Sequence, residues 1–108
     1  MRRATLVLAA AIVSLPTLAV PVLADEAAFA RASGCMACHA VDRRMVGPSF
    51  QDISARYAGQ ADAVARMAVR IRQGGGGAWG PIPMPANPRL SEADARRLAV
   101  WSLSHTAR

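Results

Sequence analysis

The five residues Cys35-Met36-Ala37-Cys38-His39 constrain this chain more than any other feature, because they use both of its cysteines and one of its two histidines. The pattern is C-x-x-C-H, the signature of covalent haem attachment. Two thiols three residues apart can reach the two vinyl groups on neighbouring edges of one porphyrin and add across them as thioethers. The next residue, His39, then lies under the iron and supplies an axial nitrogen. Two other chemistries use cysteines at this spacing. A thiol–disulfide pair needs no histidine directly after it and usually sits beside a βαβ pattern, which is missing here. A tetrahedral zinc site needs four ligands, and beyond Cys35, Cys38 and His39 only His105 and carboxylates remain.

The rest of the chain has to be small. Its 108 residues allow one domain, and the first 24 read as a secretory signal. Arg2 and Arg3 give a positive start, an apolar run follows from Leu6 to Val22, and Val22-Leu23-Ala24 offers small residues where a signal peptidase reads them. Pro16 and Pro21 break the run, which argues against a retained anchor, since a spanning helix wants about 20 apolar residues. We therefore expect a signal peptide at 1–24, cleavage after Ala24, periplasmic export, and one domain at 25–108. A retained anchor would instead make the chain a tethered electron-entry module of a larger complex.

Loss of Arg2 and Arg3 lowers the formal charge from +6 to +4. That excess could favour an acidic partner protein. Scattered arginines on an exported chain make nucleic acid a poor candidate. About 84 residues bury only a modest core, so a staple is expected, and two cysteines limit it to one bridge or one cofactor.

Helical periodicity appears four times. The first stretch runs from about Glu26 to Ser33, stops at Gly34 and carries Ala28, Phe29 and Ala32 on one face. A second, from Phe50 to Tyr57, places Phe50, Ile53 and Tyr57 at helical spacing. A third starts near Asp62, a good N-cap residue, with Val64, Met67, Ala68 and Ile71 as its apolar stripe. Gly74 to Gly77 end it. The last begins at Ser91, with Asp94 as a box-like acid, and lines up Ala95, Leu98, Trp101 and Ser102. Between the last two lies Trp79 to Pro88, whose four prolines exclude regular helix or a central strand. The pattern predicts an all-α fold with one long, stiff, proline-rich loop.

The sixth iron ligand separates a carrier from an enzyme, because an open position binds small molecules and a filled one does not. Met36 is too close to His39 to cross the ring, Met45 is nearly so, and Met67 lies on an apolar stripe. Met84 sits in Gly80-Pro81-Ile82-Pro83-Met84-Pro85, with enough chain after His39 to wrap the haem edge. Its flanking prolines leave little entropy to lose. His105, near the end of the last helix, is the alternative and is expected to face solvent. A His39/Met84 pair keeps iron coordinatively full and raises its potential.

Four segments resemble the short class I bacterial c-type cytochromes: Gly34 to Ala40, Met45-Val46-Gly47-Pro48, Tyr57-Ala58-Gly59-Gln60, and Trp79 to Pro85. The resemblance spans nearly the whole mature chain. It implies a class I fold of about four helices around one haem c, covalently held by Cys35 and Cys38, with His39 and Met84 as axial ligands. It implies that the Pro48 carbonyl accepts the Nδ1 proton of His39, that Asn87 sits near the Met84 sulfur, and that Arg70 and Trp79 contact a haem propionate. The first and last helices would cross, with Phe29 and Ala32 meeting Leu98 and Trp101.

The implied function is a monomeric periplasmic carrier, not an enzyme. It would take single electrons from a cytochrome bc1-type donor and pass them to a nitrite reductase or oxidase, without stable membrane insertion. One haem edge would stay exposed, ringed by small apolar residues such as Met45, Val46 and Pro83, with Arg43 and Arg44 nearby. The other reading is a haem enzyme or sensor in which the Met84 bond opens. The segment from Asn87 to Ser91 is one residue longer than the family pattern, which bears on the contacts of Asn87.

Overall fold

Helix α1 spans Leu23–Ala32, α2 Phe50–Tyr57, α3 Ala63–Gln73 and α4 Glu92–Ser102, with a short 3-10 turn at Cys35–Ala37. The computed structural model describes residues 10–16 and 23–106. Most of the expected signal segment therefore lies outside the described residues. Within 10–16 the chain is irregular, and Ile12, Val13 and Leu15 are exposed. No described helix is long and apolar enough to cross a membrane.

The four helices form because their apolar residues recur at helical spacing and their ends are capped. Ser49 accepts from the Asp52 amide at 3.0 Å to start α2, and Ser91 accepts from the Asp94 amide at 3.0 Å to start α4. Each such cap contributes about 1 kcal/mol. Asp62 precedes α3 but makes no side-chain cap. Its carboxylate turns outward to Arg66 at 3.4 Å, a surface pair four residues apart.

The core lies between α4 and its neighbours. Ala95, Leu98, Ala99, Trp101 and Ser102 of α4 are buried, as are Ala68 and Ile71 of α3 and Phe50 and Ile53 of α2. Leu98 is only 1% exposed, so its truncation to alanine should cost about 2–5 kcal/mol. The α3–α4 pairing is the broadest contact, and α1 also packs on α4.

The face that α1 buries differs from the expected one. Ala28 and Ala32 are exposed; Ala30 is fully buried, with Ala27 and Phe29 packed beside it. In this orientation Arg97 of α4 lies against the outer side of the helix. Arg97 donates to both carboxylate oxygens of Glu26, at 2.9–3.2 Å, and its guanidinium lies 4.4 Å over the Phe29 ring.

His105 also departs from expectation. It does not face solvent. Its ring packs against Phe50 and Trp101, with centroids 5.4 and 4.6 Å away. Its amide donates to Ser54 Oγ at 3.0 Å, and Ser54 donates to the Ser102 carbonyl at 3.1 Å. These bonds draw the end of the chain back across α2 and bury Nε2 with no hydrogen-bond partner among the described residues.

From Gly74 to Leu90 the chain is an extended loop, as four prolines require. Its one regular feature is an antiparallel bridge between Gly75 and Met84. The lengthened segment after Asn87 closes as a turn, with the Leu90 amide donating to the Asn87 carbonyl at 3.2 Å.

Candidate functional site

Gly34, at φ 82°, ends α1 in a left-handed conformation that favours glycine, and so turns the chain into the cysteine motif. The 3-10 turn follows. Amides of Cys38 and His39 both donate to the Cys35 carbonyl, at 3.2 and 3.0 Å. The segment after it folds back on the motif: the Gly47 amide donates to the Cys38 carbonyl at 2.8 Å, and the Phe50 amide to the Ala40 carbonyl at 2.9 Å.

This fold-back fixes the His39 ring. Its Nδ1 lies 2.8 Å from the Pro48 carbonyl oxygen. A carbonyl only accepts, so the proton is on Nδ1 and the Nε2 lone pair is free for a metal. One face of the ring stacks near Phe50, 5.3 Å between centroids. Gly47 packs so closely that a Cβ there would sit 2.5 Å from the His39 ring. Sequence reasoning placed Gly47 only within the Met45-Val46-Gly47-Pro48 segment of the family resemblance. Its adjacency to Pro48 was the available signal, but the ring it must clear is set by tertiary packing.

Cys35 and Cys38 are not bonded to each other. Burial pushes the Cys35 thiol up, outweighing a weaker pull downward from a backbone hydrogen bond. A thiol held in its neutral form is the opposite of an activated disulfide-exchange cysteine. The zinc reading fares no better. His105 is not among the residues that line the site, and no group of three or more His, Cys, Asp or Glu among the described residues is placed to hold a metal ion.

Cys35, Cys38, His39, Pro48, Arg70, Trp79 and Met84 all line one cavity of about 390 Å³. Its remaining wall is largely apolar, including Phe50, Ile53, Met67 and Ile71. The size lies within the 300–1,000 Å³ of ordinary cofactor pockets. Two thiols and one imidazole nitrogen on a largely apolar cavity are what a covalent haem requires, and the Met84 thioether on the same wall would complete its ligation, so the residues present fit it.

Met84 reaches the cavity on the long loop. Its amide and carbonyl pair with the carbonyl and amide of Gly75, at 2.9 and 3.0 Å. The start of the loop is held by side chains. The Arg70 guanidinium, itself on the cavity wall, reaches the Gly74 carbonyl at 3.4 Å. Arg56 lies 4.4 Å over the Trp79 ring and donates to the Ala78 carbonyl. Arg44 donates to the Trp79 carbonyl at 2.9 Å. Sequence reasoning missed these roles of Arg44 and Arg56, which depend on contacts between residues 22 and 35 positions apart. Asn87 does not line the cavity. Its side-chain amide donates to the Ile71 carbonyl at 3.0 Å, and its backbone amide to the Arg72 carbonyl at 3.0 Å, so it ties the end of the loop to α3.

The family model for cytochrome c matches residues 25–105. Cytochrome c-551 of Azotobacter vinelandii is 52% identical over 75 residues, covering 69% of this chain and 90% of the relative. Cytochrome c-551 of Pseudomonas aeruginosa is 50% identical over 80 residues, covering 74% and 76%. The crystal structure of wild-type Nitrosomonas europaea cytochrome c552 superposes with a TM-score of 0.72 at 45% identity, covering 74% of this chain and 99% of that one.

Proposed function

The chain belongs to the cytochrome c family, and from that premise we propose that it is an exported carrier that moves single electrons through a haem ligated by His39 and Met84. Its class I fold holds one haem c, covalently bound through Cys35 and Cys38. Haem c supplies a one-electron ferric–ferrous couple. The observation that carries the reading is the meeting of His39, with Nδ1 engaged and Nε2 free, and the Met84 thioether on one apolar cavity with both thiols.

The chain's own groups do the rest. The Pro48 carbonyl orients His39 and raises its basicity. The Gly75–Met84 bridge ties Met84 to the glycine-rich half of its loop. Held by both His39 and Met84, the haem iron would need little rearrangement on reduction, which would suit fast outer-sphere transfer and leave no open position for catalysis. Arg70 and Trp79, both on the cavity wall, would meet the propionates. Asn87, tied to α3, would brace the Met84 loop from its far end.

Val41, Met45, Val46 and Ile82 are exposed, the last two on the cavity rim, beside Arg43 and Arg44. That surface suits brief contact with an acidic redox partner. The donor would be of the cytochrome bc1 type and the acceptor a nitrite reductase or oxidase. Cleavage after Ala24 would leave Asp25 and Glu26 at the amino end of α1, where the helix dipole favours acids. The mature protein would act as a periplasmic monomer.

The test is the optical spectrum of the ferric protein. The weak near-red sulfur-to-iron band should be present, and Met84→Ala should abolish it. Survival of the band in that variant would refute the ligand assignment. Electron transfer to an acidic partner should slow as salt rises; a flat profile would rule out electrostatic steering. Mass spectrometry should find Asp25 at the amino terminus.

A further inference from the structure

The loop that presents Met84 has two unlike halves. Its second half is stiffened by Pro81, Pro83 and Pro85. Its first half, Gly74-Gly75-Gly76-Gly77, has no such restraint. Gly74, Gly75 and Gly77 sit at positive φ, between 68° and 125°, and glycine visits many other conformations as easily. Left to itself, this half would open readily and carry Met84 away.

Three guanidinium groups from three different parts of the fold converge on it. Arg70 of α3 takes the Gly74 carbonyl, Arg56 of α2 takes the Ala78 carbonyl and covers the Trp79 ring, and Arg44 takes the Trp79 carbonyl from the segment after the cysteine motif. Arg43, one residue away, instead pairs with Asp42 at 3.5 Å. Guanidinium suits this work: its planar fork donates to a carbonyl while its face lies on an aromatic ring.

We infer that Arg44 and Arg56 are positioning residues that keep Met84 at its site by clamping the Ala78–Trp79 hinge of the glycine-rich loop to the His39 side of the molecule. Neither hydrogen-bonds to Met84. They act on the population of loop conformers in which the thioether faces the cavity. An external ligand can enter only when the loop opens, so its apparent affinity scales with the open fraction.

This rests on Met84 being the sixth ligand. The experiment uses the haem-loaded mature protein, and the probe is imidazole titrated into its ferric form. Arg44→Ala and Arg56→Ala should each tighten imidazole binding by roughly threefold, and the double variant by about tenfold, as expected for the loss of one exposed charged hydrogen bond apiece. Amide exchange at Gly75 and Met84, read in the ferrous protein without imidazole, should quicken in the same order. Arg44→Lys, which keeps a donor, should return the parent values, and Arg43→Ala should change nothing. Unchanged imidazole affinity and exchange in the double variant would overturn the clamp, even if denaturation shifted, and so would an Arg43→Ala effect of equal size. A parent protein lacking the near-red band would overturn the Met84 ligation beneath it.

Discussion

The two segments that face each other across the cavity are built by opposite means. The His39 side, from Gly34 to Phe50, is held mainly by hydrogen bonds between near neighbours in sequence: Cys38 and His39 to Cys35, Gly47 to Cys38, Phe50 to Ala40. It ends in three buried residues, Pro48, Ser49 and Phe50. The Met84 side is mostly exposed, and its ties run to α2, α3 and the opposite loop. One side is locally determined and rigid. The other is a tether whose position is a tertiary property, and under the proposed Met84 ligation it is the side whose ligand would exchange.

The sharpest way to break this contrast is at the rigid side. Gly47→Ala places a Cβ 2.5 Å from the His39 ring, and neither the ring nor the buried Pro48 can give way. It should destabilise the haem-loaded protein by about 1–3 kcal/mol, as overpacked sites do, with denaturant unfolding as the measure. A neutral result would show the His39 side to be as pliable as the loop opposite.

Gly74→Ala tests the tether. Gly74 has φ 68°, and a Cβ there would lie 2.5 Å from the Met84 carbonyl oxygen. We expect a loss of about 1–2 kcal/mol from strain and partial loss of the near-red band. The expected signature is a ligand lost before the fold, the reverse of Gly47→Ala. Asn87→Ala should have a smaller effect, about 1 kcal/mol, by freeing the Ile71 carbonyl contact at the other end of the loop. Its measure is the pH at which the near-red band disappears on alkaline titration, which should fall.

The smallest effect concerns His105, which packs on the same Phe50 that flanks His39. Burial lowers its pKa below the ordinary 6.5. The unfolded chain then binds the proton more readily than the folded one, so stability is complete above about pH 6.5 and declines as pH falls below that value. His105→Gln should flatten the decline between about pH 7 and pH 5 in denaturant titrations. An unchanged slope would place the acid sensitivity elsewhere.

Periodicity identified the four helices to within a few residues, and Ala95, Leu98, Trp101 and Ser102 are buried together as their spacing required. It failed on α1, where alanines occupy several faces and hydrophobicity could not tell Ala30 from Ala28 or Ala32. There the Arg97–Glu26 pair and the Phe29 contact accompany the observed face. Asp62 read as a cap because only its type and place were visible, and Arg66 one turn on competes for its carboxylate. The cavity-lining residues Cys35, Cys38, His39, Pro48, Arg70, Trp79 and Met84 were all legible as a set. The amide partner of Asn87 was not, since it lies on a helix sixteen residues earlier.

Residue order alone determined the chemistry of this protein: two sulfurs and an imidazole within five residues, and a thioether among prolines. These are matters of local spacing and stiffness, which a chain carries wherever it folds. Only the tertiary structure decided how His39 is wedged between Gly47 and Phe50, which way α1 turns, that His105 is tucked inward, and which arginines hold the glycine-rich hinge. Each of those depends on surfaces brought together from distant parts of the chain, where short-range pattern has no say.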